Sequence, residues 1–94
     1  MGITVTRVIR CAGAGALKAF CDVAVGELLI KGVRVIEGRR GPFVRMPRQQ
    51  SKNGTWYDSV VPLSNETQAE ISRVVLETFA RHLASSVAKD PNGR

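Results

Sequence analysis

From Ile3 to Arg10 (ITVTRVIR) apolar and polar residues alternate, with Ile3, Val5 and Ile9 to one side, Thr4, Thr6 and Arg10 to the other, and Arg7 and Val8 interrupting the rhythm. That pattern predicts a β-strand. The AGAG at 12–15 reads as a turn, and residues 16–25 return with Leu17, Ala19, Cys21, Val23 and Val25 on one face. A tight turn at Gly26-Glu27 leads to a third strand over 28–37, with Gly32 inside it as a predicted bulge or close backbone approach. Gly38 and Gly41 bound a short hairpin loop with Arg39 and Arg40 at its tip. A strand over 42–47 follows, bracketed by prolines and therefore an edge or a strand end. The polar stretch 48–55 carries Asn53-Gly54, a turn signal, and 56–61 forms the last strand of an antiparallel β-meander.

The periodicity then changes. Pro62 ends the sheet, Ser64 or Asn65 supplies an N-cap, and Glu66 places an acid in the first turn, where the helix dipole favours it. Ile71, Val75, Phe79 and Leu83 recur every four residues, with Val74, Leu76 and Ala80 widening the stripe, so a helix over about 66–84 packs one face on the sheet. The predicted class is α+β, a β-meander with one main C-terminal helix, organised as a single domain over 1–88 and a frayed tail over 89–94. A chain of 94 residues buries only about 60 to 65% of the surface its unfolded form exposes, so a homodimer is expected to supplement the thin core.

Charge changes this picture most. Residues 31–52 hold seven basic side chains, Lys31, Arg34, Arg39, Arg40, Arg45, Arg48 and Lys52, against one acid, Glu37; the rest of the chain balances, so the whole net charge of +6 is focused there. Five of the seven are arginines, whose planar forks suit phosphate and whose flat faces stack on bases. With Trp56 and Tyr57 just beyond, the stretch is a candidate nucleic-acid surface; a merely solvated basic face is the bland alternative. Arg73 and Arg81, off the helix stripe, extend that surface, although Glu70 and Glu77 precede arginines by three and four residues and are placed to pair with them. Trp56 and Tyr57 point to opposite faces, so at most one stacks on bases, and packing is the better reading of either ring alone.

Other chemistry is poorly supplied. Cys11 and Cys21, both in predicted strands, lack any CxxC spacing and have only His82 as a further soft ligand, so they read as small buried apolar residues without a metal site. A disulfide between them is not expected in a reducing compartment. His82, beside Arg81, is placed to favour the negative end of the helix rather than to catalyse. No nucleophile–base or paired-carboxylate set can be assembled, which argues against an enzyme, a small-molecule substrate or a cofactor. The glycines at 13 and 15 match neither dinucleotide nor mononucleotide phosphate loops. The chain opens on a strand pattern without a basic head and apolar block, and it has no apolar run near 20 residues; a cytoplasmic protein without a membrane span is expected.

The residues VIEGRRGPFVRMP at 35–47, followed by NGTWYDSVVPLSNETQAEI at 53–71, closely resemble the SpoVG family, septation proteins first associated with sporulation. With a weaker match in the opening strands, the resemblance covers roughly residues 1–84. It implies a small dimeric DNA- and RNA-binding regulator without catalytic activity, acting in septation, sporulation or related developmental control. This chain departs from the family pattern at Lys31-Gly32, at Arg45 between FV and MP, and at Ser59-Val60-Val61 before the proline. Residues 40–44 also share letters with the aromatic central strand of an RNA-recognition motif, but Pro42 stands where its aromatic belongs and the module's first helix is missing. A non-enzymatic protein-interaction adaptor, using an exposed strand edge and the helix, is the alternative from another class.

Overall fold

A computed structural model describes residues 2–13 and 15–89, with side chains to residue 84. Four strands, β1 (Ile3–Arg10), β2 (Leu17–Val25), β3 (Leu28–Gly38) and β4 (Gly41–Arg45), form an antiparallel meander in chain order. β5 (Arg48–Gln50) and β6 (Trp56–Asp58) pair as a separate two-stranded hairpin, and α1 (Asn65–Lys89) follows. The α+β reading holds, with two corrections. The last strand does not extend to Val61, and it pairs with the polar segment beginning at Arg48 rather than joining the meander. With the sequences RQQ and WYD, exposed throughout, the two short strands bury no face on the main sheet, and the turn at Asn53-Gly54 closes them on each other. Gly54 has φ 89°, and the Asn53 side chain accepts the Thr55 N–H at 3.1 Å.

Ala19, Cys21, Val23, Val33, Val35 and Val44 form the sheet's buried face, and Ile71, Val75 and Phe79 of α1 cover it. The helix lies closest to the edge strands β1 and β4. Ser64 is its cap: the Thr67 N–H donates to Ser64 Oγ at 3.1 Å, and the Gln68 N–H closes the first turn on the Ser64 carbonyl. The helix runs to Lys89, beyond the expected end near residue 84, so it includes the first residue assigned to the tail; the rest of the tail, 90–94, lies outside the described residues. Leu76 and Leu83 pack against the core as the stripe predicts, whereas Ala80 is exposed.

Three register shifts decide which face each residue occupies. Between Val5 and Arg7, β1 advances two residues while β2 advances one, so the alternation inverts: Val8 packs on the core and Ile9 turns out, 45% exposed. The expected grouping of Ile9 with Ile3 and Val5 therefore fails, and the interruption at Arg7-Val8 follows directly on the bulge at Thr6. A second shift at Lys18 pairs Leu17 with Ile36, away from the Ala19–Cys21–Val23 face to which the pattern assigned it. The third is the bulge expected at Gly32, where Lys31 and Gly32 oppose Asp22 and Gly32 has φ 85°. A Cβ there would meet nothing within 4 Å, so the backbone conformation, not a close approach, calls for glycine.

Cys21 is buried in the core, which together with the nearby Asp22 carboxylate raises its thiol pKa to about 11. Cys11 lies just past the end of β1 rather than in a strand; it is half-buried, and both thiols are free. Among the described residues, no helix is long and apolar enough to cross a membrane.

Candidate functional site

The face of the sheet turned away from α1 follows from the same registers. Ile9, Phe20, Arg34 and Arg45 lie in one row across all four strands, because Ile9 pairs with Phe20, Phe20 with Arg34 and Arg34 with Arg45. A second row joins Leu17, Ile36 and Phe43, and Arg7 opposes Asp22 on the same face. Phe20 and Phe43 are 38% and 39% exposed. The Phe43 ring lies against Gly38, where an added Cβ would come within 3.0 Å of it, and the Arg45 guanidinium sits 5.7 Å from the ring centroid.

Arg34 and Arg45 stand directly opposite each other, an arrangement that costs stability between like charges. Among the described residues neither has a carboxylate within ion-pair distance, nor do Arg39 and Arg40 at the two-residue β3–β4 tip. Gly41, with φ 113°, takes the left-handed turn position there. Lys31 is exposed at the bulge, and Lys52 at the tip of the β5–β6 hairpin.

The remaining basic candidates are differently placed. Arg48 pairs across its hairpin with Asp58 at 3.3 Å. Arg73 is held by Glu70 at 2.6 Å and by Glu77 at 3.2 Å, on the exposed side of a helix that covers the other face of the sheet. The carboxylates raise the Arg73 pKa, and the hydrogen bond from Arg73 lowers that of Glu70. The structure therefore gathers Arg34, Arg45, Arg39 and Arg40 along β3–β4 and leaves Arg73 behind the sheet. Glu77 turns back to Arg73 instead of forward to Arg81, which donates to Thr78 Oγ1 at 3.3 Å.

Two other expectations fall. Trp56 and Tyr57 are 54% and 47% exposed, so neither ring is buried in the core; the Tyr57 hydroxyl donates to Gln49 Oε1 at 2.8 Å. The helix continues past His82 to Lys89, so His82 is not at the C-terminal end, and its buried Nδ1 has no hydrogen-bond partner among the described residues. What the sequence reading missed is the aromatic pair Phe20 and Phe43. Each sits one residue from a core position, Ala19 or Cys21 and Val44, so strand alternation alone assigns both rings to the opposite face.

The SpoVG family model matches residues 1–81. Relatives bearing the name "putative septation protein SpoVG" include one from Archaeoglobus fulgidus, 35% identical over 82% of this chain and 92% of its own length, and one from Lachnospira eligens, 30% identical over 86% and 93%. A Listeria monocytogenes relative with the same name, numbered 1, is 35% identical over 84% of this chain and 78% of its own. With the matched region running from the first strand into the helix that covers the sheet, this chain belongs to the SpoVG family.

Proposed function

We propose that the protein is a non-catalytic, nucleic-acid-binding regulator, cytoplasmic and homodimeric, that acts in septation or sporulation-type control through gene expression. The name its relatives carry supports the septation role. The nucleic-acid reading rests on one observation above the others: Arg34 and Arg45 face each other in register on an uncovered sheet surface without a carboxylate between them. That repulsion is relieved when phosphates lie over the pair, and Arg39 and Arg40 continue the same strands to the tip. Lys31 and Lys52 add long-range attraction, and Arg48 contributes after its exchange from Asp58. Arg73 stands outside the interface.

Binding governed by phosphates weakens with salt, with log K falling against log salt by about 0.9 per phosphate neutralised on duplex and about 0.7 on single strands. Replacing Arg34 and Arg45 together by Ala should flatten the slope by about 1.4 to 1.8 on that basis. An unchanged slope in a folded variant would sink the reading, and binding indifferent to salt would favour the protein-adaptor alternative.

The dimer has its own support. Leu28, Val61 and Leu63 are more than half exposed, Leu63 fully, around a groove floored by Val25, Ile30 and Ile71. Such a patch is what a second copy would cover. Sedimentation should give about twice the 10.2 kDa chain mass; a monomer at micromolar concentration would remove the dimer from the proposal.

A further inference from the structure

We infer that the outer face of the four-stranded sheet takes a single-stranded nucleic acid, with bases stacked on Phe20 and Phe43 and the backbone drawn over Arg34 and Arg45. The inference deepens the nucleic-acid reading and rests on it. Its ground is the interleaving of rings and guanidiniums on one uncovered surface. Phe20 and Phe43 lie in adjacent rows on β2 and β4, strands about 9.5 Å apart, with Arg34 on the strand between them and Arg45 two residues beyond Phe43.

Neither ring belongs to the core cluster, and more than a third of each residue meets solvent. The Phe43 ring is supported from below, since Gly38 offers it a bare backbone. A ring held in place with its outward side open is a stacking platform, and a flat Arg beside it can bond a phosphate or stack on the next base. Duplex DNA keeps its bases inside and cannot use such rings; unpaired bases can.

Charge decides the occupant. A second copy seated on this face about a two-fold axis would bring Arg7, Arg34 and Arg45 toward their own counterparts, with Asp22 the one acid on the same face among the described residues to offset them. A polyanion with exposed aromatic bases complements both features. The apolar groove at Leu28, Val61 and Leu63, lined by no charged residue, leaves a separate place for a second copy.

The test uses the whole chain with three probes of equal phosphate number: a single-stranded oligonucleotide, a duplex of half its length, and a strand of the full length without bases. Phe20→Leu and Phe43→Leu keep an apolar side chain and remove the ring. Each should weaken binding to the single strand about 5- to 100-fold at fixed salt, the range for losing one stacked base, while duplex binding and the salt slope stay as in the parent. The baseless strand, which loses both stacks, should bind the parent at least as weakly as the ordinary strand binds either variant.

Equal binding of the baseless and ordinary strands would overturn the stacking inference and leave the nucleic-acid reading standing. Failure of the parent to bind any probe at low salt would overturn that reading itself. Variants that turn a dimer into a monomer on sedimentation would place a second copy on this face and also overturn the inference.

Discussion

The two faces of the four-stranded sheet are made of alternate residues of the same strands, yet only one is explained by folding. Inside, Ala19, Cys21, Val23, Val33, Val35 and Val44 are closed over by Ile71, Val75 and Phe79, and no charged side chain is buried among the described residues. Outside, Phe20, Ile36 and Phe43 share the surface with Arg7, Arg34 and Arg45, of which Phe20, Phe43, Arg7 and Arg45 are exposed and Ile36 and Arg34 half-buried. A face needed only for solubility would have shed the aromatic rings, and one needed only for packing would not oppose two arginines in register. The outer face thus departs from the optimum for either task in the direction a ligand surface requires.

The difference predicts unequal costs of truncation. Phe79→Ala should lower stability by about 3 to 5 kcal/mol, because the ring is buried against the sheet and leaves a cavity. Phe20→Ala, from a ring already partly in water, should cost about 1 kcal/mol. Denaturant titration of both variants checks the pair. Comparable losses would make the outer face structural and break the contrast.

Gly32→Ala should come next, at about 1 to 2 kcal/mol, the cost of holding an L-residue at φ 85°. Open space around the position means that the loss is conformational rather than steric. If thermal melting shows no change, the Lys31-Gly32 bulge does not pin the register that places Arg34 outward.

Cys21 tests the inner face by pH. Burial raises its pKa in the folded chain, to about 11, so the neutral thiol contributes stability fully below the unfolded value, near 9. That contribution is lost as pH rises from there through about 11. Denaturation midpoints should therefore fall more steeply with alkaline pH in the parent than in Cys21→Ala. Parallel curves would mean that the thiol reaches solvent in the folded state.

The order of the first four strands, the Gly32 bulge, the hairpin tip of Arg39 and Arg40 and the helix stripe were legible in the sequence because each is carried by local residues. Face assignments were less so. A bulge at residues 5–7 or at Lys18 is a property of two strands paired together, and the alternation of one strand cannot show where its partner slips. Ile9 and Leu17 were misplaced for that reason. The basic candidates were also legible as a set, but their partners only in part. The spacing of Glu70 and Arg73 announced their pair, whereas Arg48 looks like Arg34 and Arg45 until Asp58 is seen beside it, Glu77 turns back to Arg73, and the rings that complete the outer face carry no charge signal at all.

The smallest effect sharpens the distinction between free and committed arginines. Arg73→Ala should leave stability nearly unchanged at neutral pH, since its ion pairs lie in water. It should leave the salt slope of nucleic-acid binding unchanged, unlike loss of Arg34 and Arg45. Its signature lies in acid: the hydrogen bond from Arg73 lowers the Glu70 pKa in the folded chain, so the pair contributes above the unfolded value, near 4.5, and the contribution is lost as pH falls through the lower folded value. The difference in midpoint between parent and Arg73→Ala should therefore shrink below about pH 4.5 and should also shrink in high salt, which screens exposed pairs. If Arg73→Ala instead flattens the binding slope as much as the Arg34 and Arg45 pair does, the carboxylate clamp opens for ligand, and the side of the sheet carrying the helix belongs to the interface too.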